Sequence, residues 1–181
     1  MPAWDGRSFL KTISRKMIGQ VPESAGVFWH YPAVLKDLMG FGRKVDSWNR
    51  LDPNLASFAG MAAASSIGCS FCLDFHYFLT HNRGLDETKA REVPRWRESD
   101  AFTPLERDVL AYAEAMSATP LTVTDQMTAG LIEQLGAPAV VELTQMVALE
   151  NMRSRFNSAA GLQSQGYSDV CELPLAVPSK A

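Results

Sequence analysis

Residues 69–76 read Cys-Ser-Phe-Cys-Leu-Asp-Phe-His, and they are the stretch of this chain best equipped for chemistry. On a helix, positions i, i+3 and i+7 fall within roughly 60° of one another, so Cys69, Cys72 and His76 share one face. Two cysteines at this spacing can close a disulfide with little backbone movement. A nearby imidazole can take a thiol proton, leaving the thiolate that attacks a peroxide or a disulfide. Gly68 stands immediately before Cys69. If it breaks the helix, the thiols lie on a fresh first turn, where the helix dipole also favours thiolate. Either arrangement suits a dithiol that is oxidised, resolved internally and reduced again by an outside dithiol.

Two plainer readings compete. A Cys-x-x-Cys on a buried helix can be a pair of inert core residues, with His76 filling a polar gap. Alternatively Cys69, Cys72 and His76 could hold zinc, with His81 or Cys171 as a fourth ligand. Structural zinc usually draws its ligands from two separate knuckles, which ranks this reading below the redox one.

The elements that must position this stretch are helical, and no hairpin dipeptide stands between alternating strands. Phe9, Ile13 and Met17 have the spacing of a short amphipathic helix. Residues 21–32 are rich in turn formers and read as a loop. A helix over 33–42 follows, then a long one over 54–82 with Gly84 as its stop, and a short one over 87–91 capped by Asp86. Thr103-Pro104-Leu105-Glu106 joins an N-cap threonine, a proline at the first helical position and a capping-box glutamate. Its helix is expected to run to Met116, burying Leu105, Val109, Leu110 and Tyr112. Another starts at Thr124 or Asp125 and ends near Gly136, and Pro138 opens a last one through Ala160. The segment from Gly161 onward is expected to wrap the surface or hang loose.

Composition narrows the function classes. At 181 residues, 46% apolar and 20% charged, the chain is ordinary globular protein. A formal charge of −3 gives no field for nucleic acid. The arginine-rich segment 83–107 balances six basic residues with six acidic ones, so it reads as a solvated mixed-charge surface. Arg7, Lys11, Arg15 and Lys16 interrupt what would be a signal peptide's apolar core. The charge-free run 53–73 is built largely of Ala, Ser and Gly, which suits a buried central helix better than a membrane span. No membrane partner and a cytoplasmic location are expected, where a close cysteine pair is more often catalytic than structural.

The run Ile67-Gly68-Cys69-Ser70-Phe71-Cys72-Leu73-Asp74-Phe75-His76, with Gly84-Leu85 after it, resembles the core helical pair of the alkyl hydroperoxidase D-like (AhpD-like) family. The likeness extends through residues 96–99 and 102–107. It resumes at Val141-Glu142-Leu143-Thr144 and from Glu150-Asn151 to Phe156-Asn157, and ends near Ser164-Gln165-Gly166. These later blocks are similar to carboxymuconolactone decarboxylase family proteins. The resemblance implies an all-α, AhpD-like helical bundle forming a single domain over 35–167, with an N-terminal arm over 1–34 and a C-terminal tail over 168–181. It further implies assembly as a trimer or hexamer and a thiol-dependent peroxidase. By the same resemblance Cys72 attacks the hydroperoxide, Cys69 resolves it as a disulfide and His76 relays protons. No bound cofactor or metal is implied. The reductant would be an external dithiol, of lipoyl type on a partner protein or a small thiol.

Two positions depart from that pattern. A relay glutamate is expected twelve residues before the first cysteine, where this chain has Ser57, and a histidine between the cysteines is here Phe71. A hydroxyl cannot hold charge at neutral pH. Asp74 falls on the opposite side of the helical wheel, leaving Glu150 or Glu114 from another helix as substitutes. Without a relay carboxylate, the alternative is a redox-responsive or scaffold protein that does not turn over. Decarboxylation needs no dithiol, so the Cys-x-x-Cys points away from it. Trp96 and Arg97 are read as cover for a helix end, and Asn151, Arg153, Arg155 and Asn157 as interhelical or interface hydrogen-bonders. Cys171 is read as a bystander thiol.

Overall fold

The computed structural model describes residues 23–170, and every regular element among them is helical. The amphipathic segment at Phe9, Ile13 and Met17 and the Cys171 thiol lie outside the described residues. The chain divides into two units at Ser47 and Trp48. The described part of the first holds α1 (Glu23–Phe28) and α2 (Pro32–Val45). Residues 21–32, expected as a loop, therefore contain a helix. Gly26 lies inside that helix, and Pro32 takes the first turn of α2, where its missing N–H costs nothing.

The second unit begins with α3 (Pro53–Ile67). Asp52 caps it by accepting hydrogen bonds from the Asn54 and Leu55 amides at 2.8 and 3.2 Å. The single long helix expected over 54–82 is two helices. Gly68 ends α3 in the left-handed region at φ 82°, which costs an L-residue energy and glycine nothing. Cys69 then caps α4 (Ser70–Asn82). Next come α5 (Glu87–Glu92), a 3₁₀ segment (Val93–Glu98) and α6 (Pro104–Ser117). The chain continues with α7 (Asp125–Leu135), α8 (Ala137–Ala159) and a closing 3₁₀ turn at Ser168–Val170. Both halves of the Thr103/Glu106 capping box form, at 3.3 and 2.7 Å.

The charge-free run becomes the central helix. α3 packs against α4, α6 and α8 and buries Phe58, Ala59, Gly60, Met61 and Ala62 through Ala64. Its small side chains let the neighbouring helices approach closely. The few large ones, with Tyr77, Val109, Leu110, Leu143 and Val147, fill the core, each burial contributing about 1.5–3 kcal/mol. Phe58 meets Phe102 edge-on at 5.9 Å. Of the four residues expected to be buried on α6, Leu105 is the one left half-exposed. No helix among the described residues is long and apolar enough to cross a membrane.

Candidate functional site

The break at Gly68 places the thiols. With Cys69 as N-cap, its Sγ accepts the Cys72 backbone N–H at 3.3 Å, using one of the amides a helix start leaves open. One turn on, the Cys72 Sγ accepts from Asn157 Nδ2 of α8 at 3.2 Å. Both cysteines are free thiols, 2% and 5% exposed. The hydrogen bond with the Cys72 thiol, against the opposing effect of burial, brings Cys69 down to about 6. The Cys72 backbone amide and Ser154 help, and the Glu150 charge resists. Cys72 moves upward because it keeps the shared proton, is buried and faces Glu150. Of the two, Cys69 is the thiol whose ionisation is favoured and Cys72 the one whose ionisation is opposed.

His76, two turns after Cys69, reaches across to α8. Its Nε2 lies 2.8 Å from Glu150 Oε2. Glu150 Oε1 accepts from Ser154 Oγ at 2.7 Å, and Ser154 also acts to lower both thiols. Burial pushes the Glu150 carboxyl up. The His76 charge and hydrogen bond, Ser154 and Arg153 outweigh it and hold the group below its ordinary value. Glu150 is therefore the carboxylate that backs His76. The other candidate, Glu114, accepts Trp96 Nε1 at 2.8 Å and pairs with Arg97, whose guanidinium lies 4.3 Å over the Trp96 ring.

Ser57 supports the backbone under His76. Its hydroxyl meets Thr80 Oγ1 at 2.5 Å, and Thr80 donates to the His76 carbonyl at 3.0 Å. Asp74 points away from the thiols, as its wheel position suggests, and it is buried and fully engaged. It accepts from Ser164 Oγ and from the Gln165, Tyr167 and Ser168 amides at 2.6–3.1 Å. Burial would raise this carboxyl, but those donors hold it below its ordinary value. Residues 164–168, expected to drape or hang loose, are thus tied to the helix that carries the cysteines, and Tyr167 packs against Phe71 and Phe75. His81 pairs with Glu87 at 2.9 Å and does not join the cysteines. Asn151 and Arg155 make the interhelical bonds expected of them, to Ser117 and Thr119.

Three site residues escaped the sequence reading. Asn157 makes the interhelical bond expected of it, but its partner is a sulfur of the site. Ser154 had no role assigned. Gly60 on α3 makes room for His76, since a Cβ there would sit 2.6 Å from the ring's Cε1 and 3.0 Å from Nε2. A signal was present, because Glu150, Ser154 and Asn157 stand at i, i+4 and i+7. They line one face of α8 much as Cys69, Cys72 and His76 line one face of α4.

Fold and site together define an all-helical protein that carries a buried dithiol beside a histidine–carboxylate pair. The carboxymuconolactone decarboxylase family profile matches residues 32–115. An uncharacterised protein of Escherichia coli K12, YnjA, is 37% identical over 124 residues, covering 68% of this chain and 66% of that one, just under two thirds of its length. These likenesses support assignment to the carboxymuconolactone decarboxylase family, and the fold is the AhpD-like one. Solved structures share the fold. The debrominase Bmp8 superposes with a TM-score of 0.77 at 19% identity, over 88% of this chain and 86% of that one. A peroxidase-related protein from Silicibacter sp. TM1040 gives 0.77 at 16%, over 92% and 89%. An alkylhydroperoxidase AhpD-core protein from Ralstonia eutropha JMP134 gives 0.74 at 14%, over 87% and 84%.

Proposed function

We propose that this protein is a thiol-dependent hydroperoxidase, a dithiol–disulfide oxidoreductase working through Cys69, Cys72 and His76. The observation that carries the reading is Glu150, which supplies from α8 the carboxylate that position 57 lacks. A proton hop along the S–H···S bond moves the charge from Cys69 to Cys72, where Asn157 donates to the sulfur. The Cys72 thiolate attacks the hydroperoxide's outer oxygen, breaking the O–O bond. Cys72 becomes a sulfenic acid and the alkoxide leaves with a proton from the His76–Glu150 pair. The Cys69 sulfur then attacks the Cys72 sulfur, water departs and a disulfide remains. An external dithiol, lipoyl-type on a partner protein or a small thiol, restores the pair by exchange, itself becoming the disulfide. The active form is a homo-oligomer, a trimer or hexamer, and the reaction needs no resident metal or cofactor. Decarboxylation, despite the family's name, has no use for this dithiol.

The test is intact mass and peptide mapping of reduced protein after brief exposure to a small excess of hydroperoxide. Loss of two hydrogens mapped to Cys69–Cys72, and turnover that needs added dithiol, are expected. Cys72→Ser abolishes the reaction, while Cys69→Ser traps a sulfenic acid on Cys72. A sulfenic acid on Cys69 in the Cys72→Ser protein at undiminished rate would reverse the two roles, and unchanged mass in the unaltered protein would end the peroxidase reading. The deep burial of both thiols favours one other reading, a redox-responsive protein that changes assembly without turnover. Equal oligomer size under oxidising and reducing conditions would count against it.

A further inference from the structure

Two contacts join α4 to α8 across the site, and they run in opposite order along the two helices. His76 meets Glu150, while Cys72, earlier on α4, meets Asn157, later on α8. The helices are therefore antiparallel here, and one face of α8 serves both ends of the site. It brings a carboxylate to the imidazole and a side-chain amide to the sulfur. We propose that Asn157 is a catalytic residue, whose amide stabilises the thiolate when it forms on Cys72 and so selects Cys72 as the attacking sulfur. This rests on the redox reading of the same site.

The two sulfurs take their donors from different places. Cys69, as N-cap, accepts the Cys72 backbone N–H at 3.3 Å. Cys72 turns its own sulfur toward α8, where Asn157 Nδ2 donates to it at 3.2 Å. Cys72 is 5% and Asn157 7% exposed, so water competes little for that bond. The hydrogen bond to Cys69, burial and the Glu150 charge push the Cys72 thiol up, and the Asn157 amide is among the groups that pull it down. An amide N–H stays a donor whatever charge its partner carries, and it keeps its proton. Its bond to a neutral thiol is weak, whereas its bond to a thiolate is charge-assisted and stronger. That difference is what helps the reaction, because an interaction speeds a step only where it strengthens along it. The ionisable groups around Cys72 cannot replace it. The α3 segment 53–67 has none, Glu150 repels a thiolate, and Arg153 acts on that carboxylate. On α4 itself Asp74 is turned to residues 164–168 and His76 to Glu150. Glu87 and Lys89 of α5 are paired with His81 and Glu106, and Asp169 lies against Gly166.

The experiment reads the two cysteines one at a time. In Cys69→Ser chains, with Asn157 kept or replaced, Cys72 alkylation by iodoacetamide is followed from about pH 5 to 11. Peptide mass separates it from Cys171. Cys72→Ser chains give the same curve for Cys69. Asn157→Asp keeps the side chain's shape without the N–H donor, and Asn157→Leu removes the donor without adding charge. Losing a hydrogen bond to a charged sulfur raises the Cys72 midpoint by about one to two pH units in both variants, and leaves that of Cys69 in place. Sulfenic acid formation on Cys72 with a small hydroperoxide slows about three- to tenfold near neutrality, since a more basic thiolate is scarcer but more reactive. An asparagine with a structural role alone would lower the melting temperature and move both midpoints alike or neither. A Cys72 midpoint that moves by less than about one pH unit in a folded Asn157→Leu, or a Cys69 midpoint that moves as far, overturns the proposal. Should neither variant fold, the side-chain amide signals of Asn157 are followed by NMR in the Cys69→Ser chain. Signals that shift at the Cys72 midpoint support the role, and signals that pass through it unmoved overturn it. Alkylation uses no hydroperoxide. A Cys72 midpoint that answers to Asn157 in a protein that no hydroperoxide oxidises would therefore sink the peroxidase reading alone.

Discussion

Replacing Gly60 with alanine should injure the site far more than the fold. In a helix interior alanine is ordinarily about 1 kcal/mol better than glycine, so propensity alone favours the variant. The new methyl would stand 2.6 Å from His76 Cε1, whereas carbon atoms in contact prefer about 3.5–4.0 Å. The ring must therefore withdraw by about 1 Å, which stretches the 2.8 Å contact with Glu150 beyond hydrogen-bonding range. A hydrogen bond to a charged group contributes about 1.5–3 kcal/mol. Set against the helix gain, the net loss of stability is about 0.5–2 kcal/mol, a few degrees of melting temperature for a chain of this size. If the same contact sets the proton supply to the thiols, its loss slows disulfide formation by about 10- to 150-fold, at about 1.4 kcal/mol per factor of ten. The assay is single-turnover disulfide formation with a hydroperoxide, read by mass, beside a thermal melt. Gly130→Ala is the control, since it lies on α7 with open space around its Cβ and should raise stability with no effect on the thiols. A folded Gly60→Ala that oxidises at the unaltered rate would refute the reasoning.

Asp74→Ala removes the acceptor for four donors and should cost on the order of 2–4 kcal/mol, read by chemical denaturation. Because the folded-state pKa of Asp74 is depressed, its contribution is present above the ordinary value of 3.8 and is lost as pH falls through the lower folded value. The gap between the two proteins should therefore close in acid. Thr103→Ala should lower stability by about 1 kcal/mol without touching thiol chemistry. For the thiols the same linkage holds. A Cys69 pKa lowered from 9.0 to about 6 stabilises the reduced protein fully above pH 9, and the gain is lost as pH falls through 6. Reduced protein should gain stability over Cys69→Ser as pH rises across that window, and parallel pH curves for the two would contradict it.

Much of this was legible because it was local. The capping box at Thr103, the Asp86 cap and the three-residue cysteine spacing each rest on groups within one helical turn, and each forms as the sequence implies. The break at Gly68 was harder to read. An Ala-, Ser- and Gly-rich run has no strong polar stripe to interrupt, so one glycine inside it is equally compatible with a continuous helix. The helix over Glu23–Phe28 is only six residues long and shows no periodicity to set against the turn formers around it. The site's second half was hidden by distance. Glu150 lies 74 residues from His76, and only the packing of α4 and α8 on a common helix decides which of several carboxylates arrives. Gly60 could not be read at all, because its meaning is the absence of an atom opposite a ring that another helix supplies.

The smallness of α3 has a consequence for how this protein can change. Five alanines, a glycine and three serines stand between the bulkier residues of a helix hemmed in on several sides. Any side chain lengthened there must be accommodated by more than one neighbour at once, and close-packed interiors yield poorly to such demands. The outward flank of α8 and the surface of α7 carry no such constraint. Library design that seeks new substrates or sturdier variants has room at the periphery and almost none along this axis, where the tolerated alphabet shrinks to glycine, alanine and serine.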